Sequence, residues 1–337
     1  MSPIKYIGIF DSPYCLLIYL LNFTNQVDET YFFISDGINP SITKNLPKNF
    51  HVMSNQKLKK KSYLLRKLSE LGAVLALNRI LGKAIKPYKK EIVQAFGQDH
   101  IPGGNYFVSH YPFTLLEDGL ANYTEIKDWT NLSLFYRILY KVFGIRQTFG
   151  LDDNVKDIYL TGLAEIPSCI EDKVHLINLK DLWRNKSLDE KEKILNIFNF
   201  NLEKIEEMKD YPYLLLTQPL SEDCLMTEEE KVNLYKEIVQ EIDEDLLLIK
   251  VHPREVTDYK KHFPKSYVLS EPFPAELLRF NEIQFKKVIT LFSTAANDYL
   301  DSESELVFVG TECHQALVNQ FGIIRYNKRM NKLEKIG

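Results

Sequence analysis

Lys250, His252 and Arg254 stand two residues apart, just after the apolar run Leu246 to Ile249. That run reads as a buried strand of a parallel sheet. If strand geometry persists, alternation puts the three basic side chains on one face. Pro253 has no N–H and ends a central strand there. The carboxyl end of a strand is where open α/β sheets place their ligands. Nitrogen cations at such a mouth suit a phosphate, and a histidine can also pass a proton. A strand that ends in solvated basic residues explains the same pattern, and the motif alone does not choose. A second group follows the apolar run Lys287 to Phe292: Ser293-Thr294 begins a helix, where hydroxyls and free backbone N–H groups can hold phosphate. Helix capping alone is the usual explanation of such a pair. A third group, Glu117-Asp118-Gly119, sits directly behind the apolar Thr114-Leu115-Leu116. A carboxylate opposite a histidine can serve as base and acid.

The elements that must position these groups alternate between strand and helix. Lys5 to Phe10, Glu29 to Ser35 and Phe50 to Ser54 read as strands. Ser12 and Pro13 start the apolar helix Tyr14 to Phe23. Lys57 to Leu81 and Lys83 to Phe96 read as helical, and Asn105 to Ser109 as a strand. Asp157 to Thr161 and Val174 to Leu179 are the last strands of the first half. Leu188 to Lys209 is one charged helix. The pattern then restarts: strand Tyr213 to Leu216, helix Glu228 to Ile242, the strand before Lys250, Tyr267 to Leu269, a short helix carrying Glu276, Lys287 to Phe292, and Leu306 to Val309 as the final strand. Such alternation predicts two doubly wound parallel sheets. The expected division is an N-terminal Rossmann-like domain over 1–190, a connector helix over 191–210 and a C-terminal Rossmann-like domain over 211–337 that holds the basic and hydroxyl groups.

Composition narrows the classes. The 337 residues are 45% hydrophobic and 26% charged, ordinary for a globular protein with ample cores. A net charge of -4 argues against a surface built for nucleic acid. Cys15, Cys169, Cys224 and Cys313 are scattered and form no CxxC pair, so they read as reduced thiols of a cytoplasmic protein without a zinc site. The N-terminus lacks signal-peptide character, and no apolar run reaches the roughly 20 residues of a membrane span. No GxGxxG and no GxxxxGK[ST] is present, which speaks against dinucleotides and a P-loop. The basic stretch Lys57 to Lys67 and the aromatic-basic stretch Trp129 to Arg146 read as a solvated face and core contacts, or else as a patch for anionic lipid.

Glu117-Asp118-Gly119, Lys250-Val251-His252-Pro253 and Ser293-Thr294, in this order, resemble the acid-acid-Gly, His-Pro and Ser-Ser or Ser-Thr motifs of bacterial sialyltransferases. Overall the chain looks closest to glycosyltransferase family 52, which contains lipooligosaccharide and capsule sialyltransferases. The resemblance implies a GT-B-type α/β fold, two Rossmann-like domains facing each other across a cleft. It implies a nucleotide sugar, CMP-sialic acid, as donor and ligand of the C-terminal domain, with inversion at the anomeric carbon, no metal and no cofactor. His252 would contact the CMP phosphate and act as general acid. Lys250 and Glu276 would hold the cytidine, and Ser293 and Thr294 the phosphate. Gly119, Gln218, Pro253 and Arg254 complete the expected donor-binding residues. The base that deprotonates the acceptor is Glu117 by first choice, Asp118 by second and Asp223 as the outlier. The expected acceptor is a galactose-terminated glycan, free or lipid-linked. Nucleic acid is not expected, while peripheral membrane contact and a homodimer stay open. Two alternatives remain: a GT-B enzyme using another nucleotide sugar, and a non-catalytic nucleotide-binding protein of the same pathway.

Overall fold

In the computed structural model, residues 3–47, 49–53, 77–126, 146–299, 303–327 and 332–336 are described. The chain divides into two compact units, Met1–Leu182 and Trp183–Gly337. The basic stretch within 57–67 and nearly all of 129–146 lie outside the described residues.

The first unit is a seven-stranded sheet in the order β3-β2-β1-β4-β5-β6-β7, parallel throughout. Its strands are β1 (Tyr6–Phe10), β2 (Thr30–Ser35), β3 (Phe50–Met53), β4 (Gln94–Gly97), β5 (Phe113–Leu116), β6 (Val155–Leu160) and β7 (Val174–Leu176). Continuous apolar runs form the central strands because helices and loops cover both faces. The helix Pro13–Phe23 shows the same logic. Ser12 caps it by accepting the Cys15 N–H at 3.2 Å, and Pro13 fits its first turn. Eight of its residues are buried, so it is a core helix rather than an amphipathic one. Tyr19 lies 5.4 Å from both Phe10 and Phe96 by ring centroid, and its hydroxyl is satisfied by Thr30 at 2.6 Å.

The second unit carries the parallel sheet β10-β9-β8-β11-β12, built from β8 (Tyr213–Leu216), β9 (Leu247–Lys250), β10 (Tyr267–Leu269), β11 (Lys287–Thr290) and β12 (Glu305–Phe308). Leu215, Ile249 and Ile289 from three adjacent strands share a core with Tyr235, Tyr259 and Leu317. A small antiparallel hairpin, β13 (Ile323–Asn327) with β14 (Lys332–Ile336), follows. Both large sheets reverse strand order once, between β1 and β4 and between β8 and β11, and these switch points are where doubly wound sheets bind ligands.

Several expectations are corrected. Gln94–Gly97 is a strand, not helix, because it fills the slot between β1 and β5 and pairs with both. Gly97 makes that fit possible: its φ is +126°, and a Cβ there would lie 1.9 Å from the Ile9 carbonyl oxygen. Gly104–His110 is a helix rather than a strand, the ambiguity of any short apolar run. The expected helix from 188 to 209 breaks. It runs Leu188–Ile197, then Asn199 turns left-handed at φ +52°, and Ile205–Met208 adds one short turn. The segment groups with the second unit, where Phe200 packs on Phe273 and Lys204 pairs with Glu271 at 2.5 Å. The strand at 305–308 is not the last, since the hairpin follows it.

Candidate active site

In the first unit the acid pair follows β5, beside the switch point. Gly119 has φ +62°, which an ordinary side chain resists, so the turn after the two acids favours glycine. The Asp118 N–H is held by the Asn122 side chain at 2.5 Å. The two acids then part company.

Glu117 is fully buried. One carboxylate oxygen accepts from Tyr14 Oη at 2.6 Å and Thr161 Oγ1 at 2.7 Å, the other from Tyr123 Oη at 2.5 Å and the Thr161 N–H at 2.7 Å. Burial raises its pKa, and these four donors pull the other way. All its lone-pair sites are taken and no solvent reaches it, so an incoming hydroxyl cannot approach. Glu117, the first choice for base, is thus sealed from solvent and ties β5 to the end of β6. Asp118 keeps a side chain 26% exposed. Its Oδ1 accepts from Ser12 Oγ at 3.1 Å, and its Oδ2 faces His100 Nε2 at 3.2 Å.

His100 escaped the sequence reading. Its ring stacks on Phe149, centroids 4.6 Å apart, and its Nδ1 faces buried Asp99 at 3.7 Å. Asp99 in turn accepts the N–H groups of Phe149 and Gly150 at 2.9 and 2.8 Å. Burial disfavours the imidazolium, but hydrogen bonds and charge from Asp118 and Asp99 outweigh it and carry the pKa up to about 9. Burial likewise works against the Asp118 carboxylate, and His100 reverses that to leave its pKa lowered. The only hint in the sequence was Gln98-Asp99-His100 standing directly behind Gly97.

A pH dependence of stability follows. His100 is raised from 6.5, so its contribution is complete below that value and fades as pH climbs through about 9. Asp118 is lowered from 3.8, so its contribution is complete above that value and is lost on further acidification. The stability gap between the parental protein and His100→Asn, read by urea unfolding, is therefore expected to be widest between these two ordinary values. It should narrow as pH rises through about 9, and a constant gap at alkaline pH would show that no charged pair exists.

In the second unit the expected residues line the loops after β8, β9 and β11. Gln218 bridges the switch point: its N–H donates to Tyr235 Oη at 2.7 Å and its Oε1 accepts the Phe292 N–H at 3.3 Å. Ser293 and Thr294 stand half-buried after β11, with the Ser293 N–H donating to Thr290 Oγ1 at 3.0 Å and a 3-10 turn beginning at Thr294.

The three basic residues do not share a face. Strand geometry stops at Lys250 and the chain turns at Pro253-Arg254, so alternation no longer applies. Lys250 is buried. Its Nζ donates to the carbonyls of Val251 and Glu271, both at 2.9 Å, and lies 4.6 Å from the Phe273 ring centroid. Burial lowers its pKa to about 8 against the opposing charges of Glu271, Glu276 and Glu255. Glu276 is buried in the first turn of the helix Glu276–Phe280. Arg254 is exposed and grips Asp223 with a two-pronged contact at 2.8 and 3.1 Å. His252 is half-buried.

Beneath this loop lies a cluster the sequence did not reveal. Lys231, on the helix Glu228–Ile238, is fully buried and meets Glu222 at 2.9 Å, Glu228 at 3.3 Å and Glu255 at 3.4 Å. Glu255 also accepts from Thr217 Oγ1 at 2.5 Å, Tyr259 Oη at 2.6 Å and the His252 N–H at 3.1 Å. Glu222 accepts the Val256 N–H at 2.9 Å. One buried ammonium thus pins both ends of the loop that carries His252. Glu255 follows Arg254 directly, yet nothing in a Glu-rich helix start announces that Lys231 points inward.

Among the described residues no group of three or more His, Cys, Asp and Glu side chains is disposed to hold a metal ion. Among them, too, no helix is long and apolar enough to cross a membrane.

Comparison with known proteins adds the family. A chain from Haemophilus influenzae, described as an uncharacterized protein, is 36% identical over 331 residues, 96% of this chain and 99% of that one. Among solved structures, a 2,6-sialyltransferase of a Photobacterium species, in a ternary complex with CMP as donor product and lactose as acceptor, superposes with a TM-score of 0.58 at 14% identity, covering 90% of this chain and 71% of that one. The GT-B domain of a sialyltransferase from Photobacterium damselae superposes with a TM-score of 0.51 at 11% identity, covering 90% of each chain. These likenesses make the fold GT-B. The family model described as glycosyltransferase family 52 matches residues 28–311, most of the chain. This chain therefore belongs to glycosyltransferase family 52.

Proposed function

We propose that the protein is an inverting, metal-independent sialyltransferase. It moves sialic acid from CMP-sialic acid to a galactose-terminated acceptor of a bacterial surface glycan, lipooligosaccharide or capsule. The observation that carries this reading is the placement of the three motifs. Asp118 follows β5, beside the switch point of one sheet; Ser293-Thr294 follows β11 at the switch point of the other, and His252 follows β9, one strand from it. Membership of a glycosyltransferase family supports it further.

In this reading Asp118 takes the proton of the acceptor hydroxyl. It is the acid of the pair that solvent reaches, and the His100 imidazolium keeps it ionised and oriented. His252, Gln218, Ser293 and Thr294 meet the CMP phosphate, where fixed donors oppose the growing negative charge. Lys250 and Glu276 flank the cytidine, Lys250 through the two carbonyls it organises. Arg254 reaches the donor only by loosening its hold on Asp223, so that pair sets the loop. Pro253 and Gly119 shape the turns.

Incubation with CMP-sialic acid and a galactose-terminated acceptor is expected to release CMP and form sialylated product, with activity intact in EDTA. Turnover of a UDP-sugar instead, or full loss in EDTA restored by magnesium or manganese, would overturn the donor or the metal-free mechanism respectively.

A further inference from the structure

His252 Nδ1 accepts the backbone N–H of Arg254 at 3.2 Å. A nitrogen that accepts cannot carry a proton, so the ring's single hydrogen is on Nε2. The contact is built rather than incidental. The His252 N–H is held by Thr217 Oγ1 at 3.2 Å and Glu255 Oε1 at 3.1 Å. The Arg254 side chain is fixed on Asp223, and the Val256 N–H on Glu222. The loop therefore cannot easily withdraw the Arg254 N–H to make room for a second ring proton. Charges around the ring point the same way. Lys250 and Arg254 disfavour an imidazolium, Asp223 is neutralised by Arg254, and buried Glu255 spends its carboxylate on Lys231, Thr217, Tyr259 and the His252 backbone.

We propose that His252 acts as a neutral, single-tautomer Nε2–H donor to the departing phosphate and not as an imidazolium acid. The role at a phosphate rests on the sialyl-transfer reading; the tautomer does not. The chemistry balances without a proton from His252. The bond from the anomeric carbon to the phosphate oxygen breaks, and its electron pair stays on CMP, which leaves as an anion. The acceptor oxygen bonds to the anomeric carbon, and its proton passes to a carboxylate. Burial foremost, then the charges of Arg254 and Lys250, holds the His252 pKa at about 3, in keeping with a ring that stays neutral.

Nitrogen-15 spectra of the full chain test this directly. Long-range proton–nitrogen correlations are recorded over about pH 5 to 8, where an ordinary histidine titrates, with and without CMP. The His252 signals are identified by their loss in His252→Gln. The expected result is an unprotonated Nδ1 and a protonated Nε2 throughout. An imidazolium or an Nδ1–H tautomer, with or without CMP, overturns the proposal. Kinetics supply the second arm. The amide of His252→Gln can donate in place of Nε2–H, so transfer should stay within about tenfold of parental, whereas His252→Ala should lose about 10² to 10³, the worth of one fixed donor to developing charge. Equal losses in both folded variants overturn the donor role. A parental protein that releases no CMP from CMP-sialic acid overturns the functional reading alone, since the spectra still decide the tautomer.

Discussion

Asp118→Asn is expected to lower sialyl transfer by about 10² to 10⁴, the usual worth of a positioned base, while CMP affinity measured by calorimetry stays near the parental value. Asparagine keeps the size of the side chain and an oxygen for Ser12, but it cannot take a proton. CMP affinity should survive because the phosphate and cytidine residues all belong to the other unit. Two comparisons sharpen the result. Glu117→Ala should act mainly on stability, because it removes the buried acceptor shared by the Tyr14 and Tyr123 hydroxyls and both donors of Thr161. Each unpaired group costs about 1–3 kcal/mol. Asp223→Ala frees Arg254 and should raise the KM for the donor more than it lowers kcat. If a well-folded Glu117→Gln is inactive while Asp118→Asn transfers at the parental rate, the base has been misassigned. If only Asp223→Ala fails to transfer, the base belongs to the second unit.

Lys231→Met is expected to destabilise the protein by about 3–5 kcal/mol, the range for breaking a buried ion pair by removing one partner. The lost ammonium leaves Glu255, with no exposure, and Glu222, nearly buried, without their cation. Methionine matches the stem of lysine, so the loss reports charge rather than a cavity. The double variant Lys231→Met with Glu255→Gln should recover part of the loss, because it removes the stranded charge while keeping an acceptor for the His252 N–H. Urea unfolding of the four proteins closes the cycle. Additive losses would mean that Lys231 and Glu255 do not interact, and the bracing of the His252 loop would need another cause.

The glycosyltransferase membership also gives the second unit's charges a sense of direction. Three carboxylates meet Lys231, those of Glu255 and Glu222 largely buried and that of Glu228 at the surface, and each is spent on a donor of the protein. The hydroxyls and the His252 ring remain half-buried on the loops after β9 and β11. A buried polar network of this kind stabilises only when every member is satisfied, which is why a single removal should be costly.

The sequence by itself determined the strands with continuous apolar runs, the cap and first turn of the helix Pro13–Phe23, and the position of each motif behind a strand. Those features depend on neighbours within a few residues, and burial on both faces writes them as unbroken hydrophobic stretches. Gly119 was legible for the same reason, as part of a short motif whose turn favours it. What only the tertiary structure decided is long-range. The segment Gln94–Gly97 became a strand because β1 and β5 left a slot between them, which no local propensity records. Glu117 and Asp118 are neighbours in sequence with similar chemistry, yet one is sealed by Tyr14, Tyr123 and Thr161 and the other opens to solvent beside His100. Apart from Tyr123, the partners that separate the two, Tyr14 and Thr161 for Glu117 and Ser12 and His100 for Asp118, are distant in sequence, and burial sets the carboxylate energies more strongly than residue type does. The alternation that placed Lys250, His252 and Arg254 on one face failed at the turn, because period two holds only while the ladder continues. Lys231 is the extreme case: a lysine in a helix reads as solvated, and only the convergence of Glu222, Glu228 and Glu255 makes it the buried brace of the loop that carries His252.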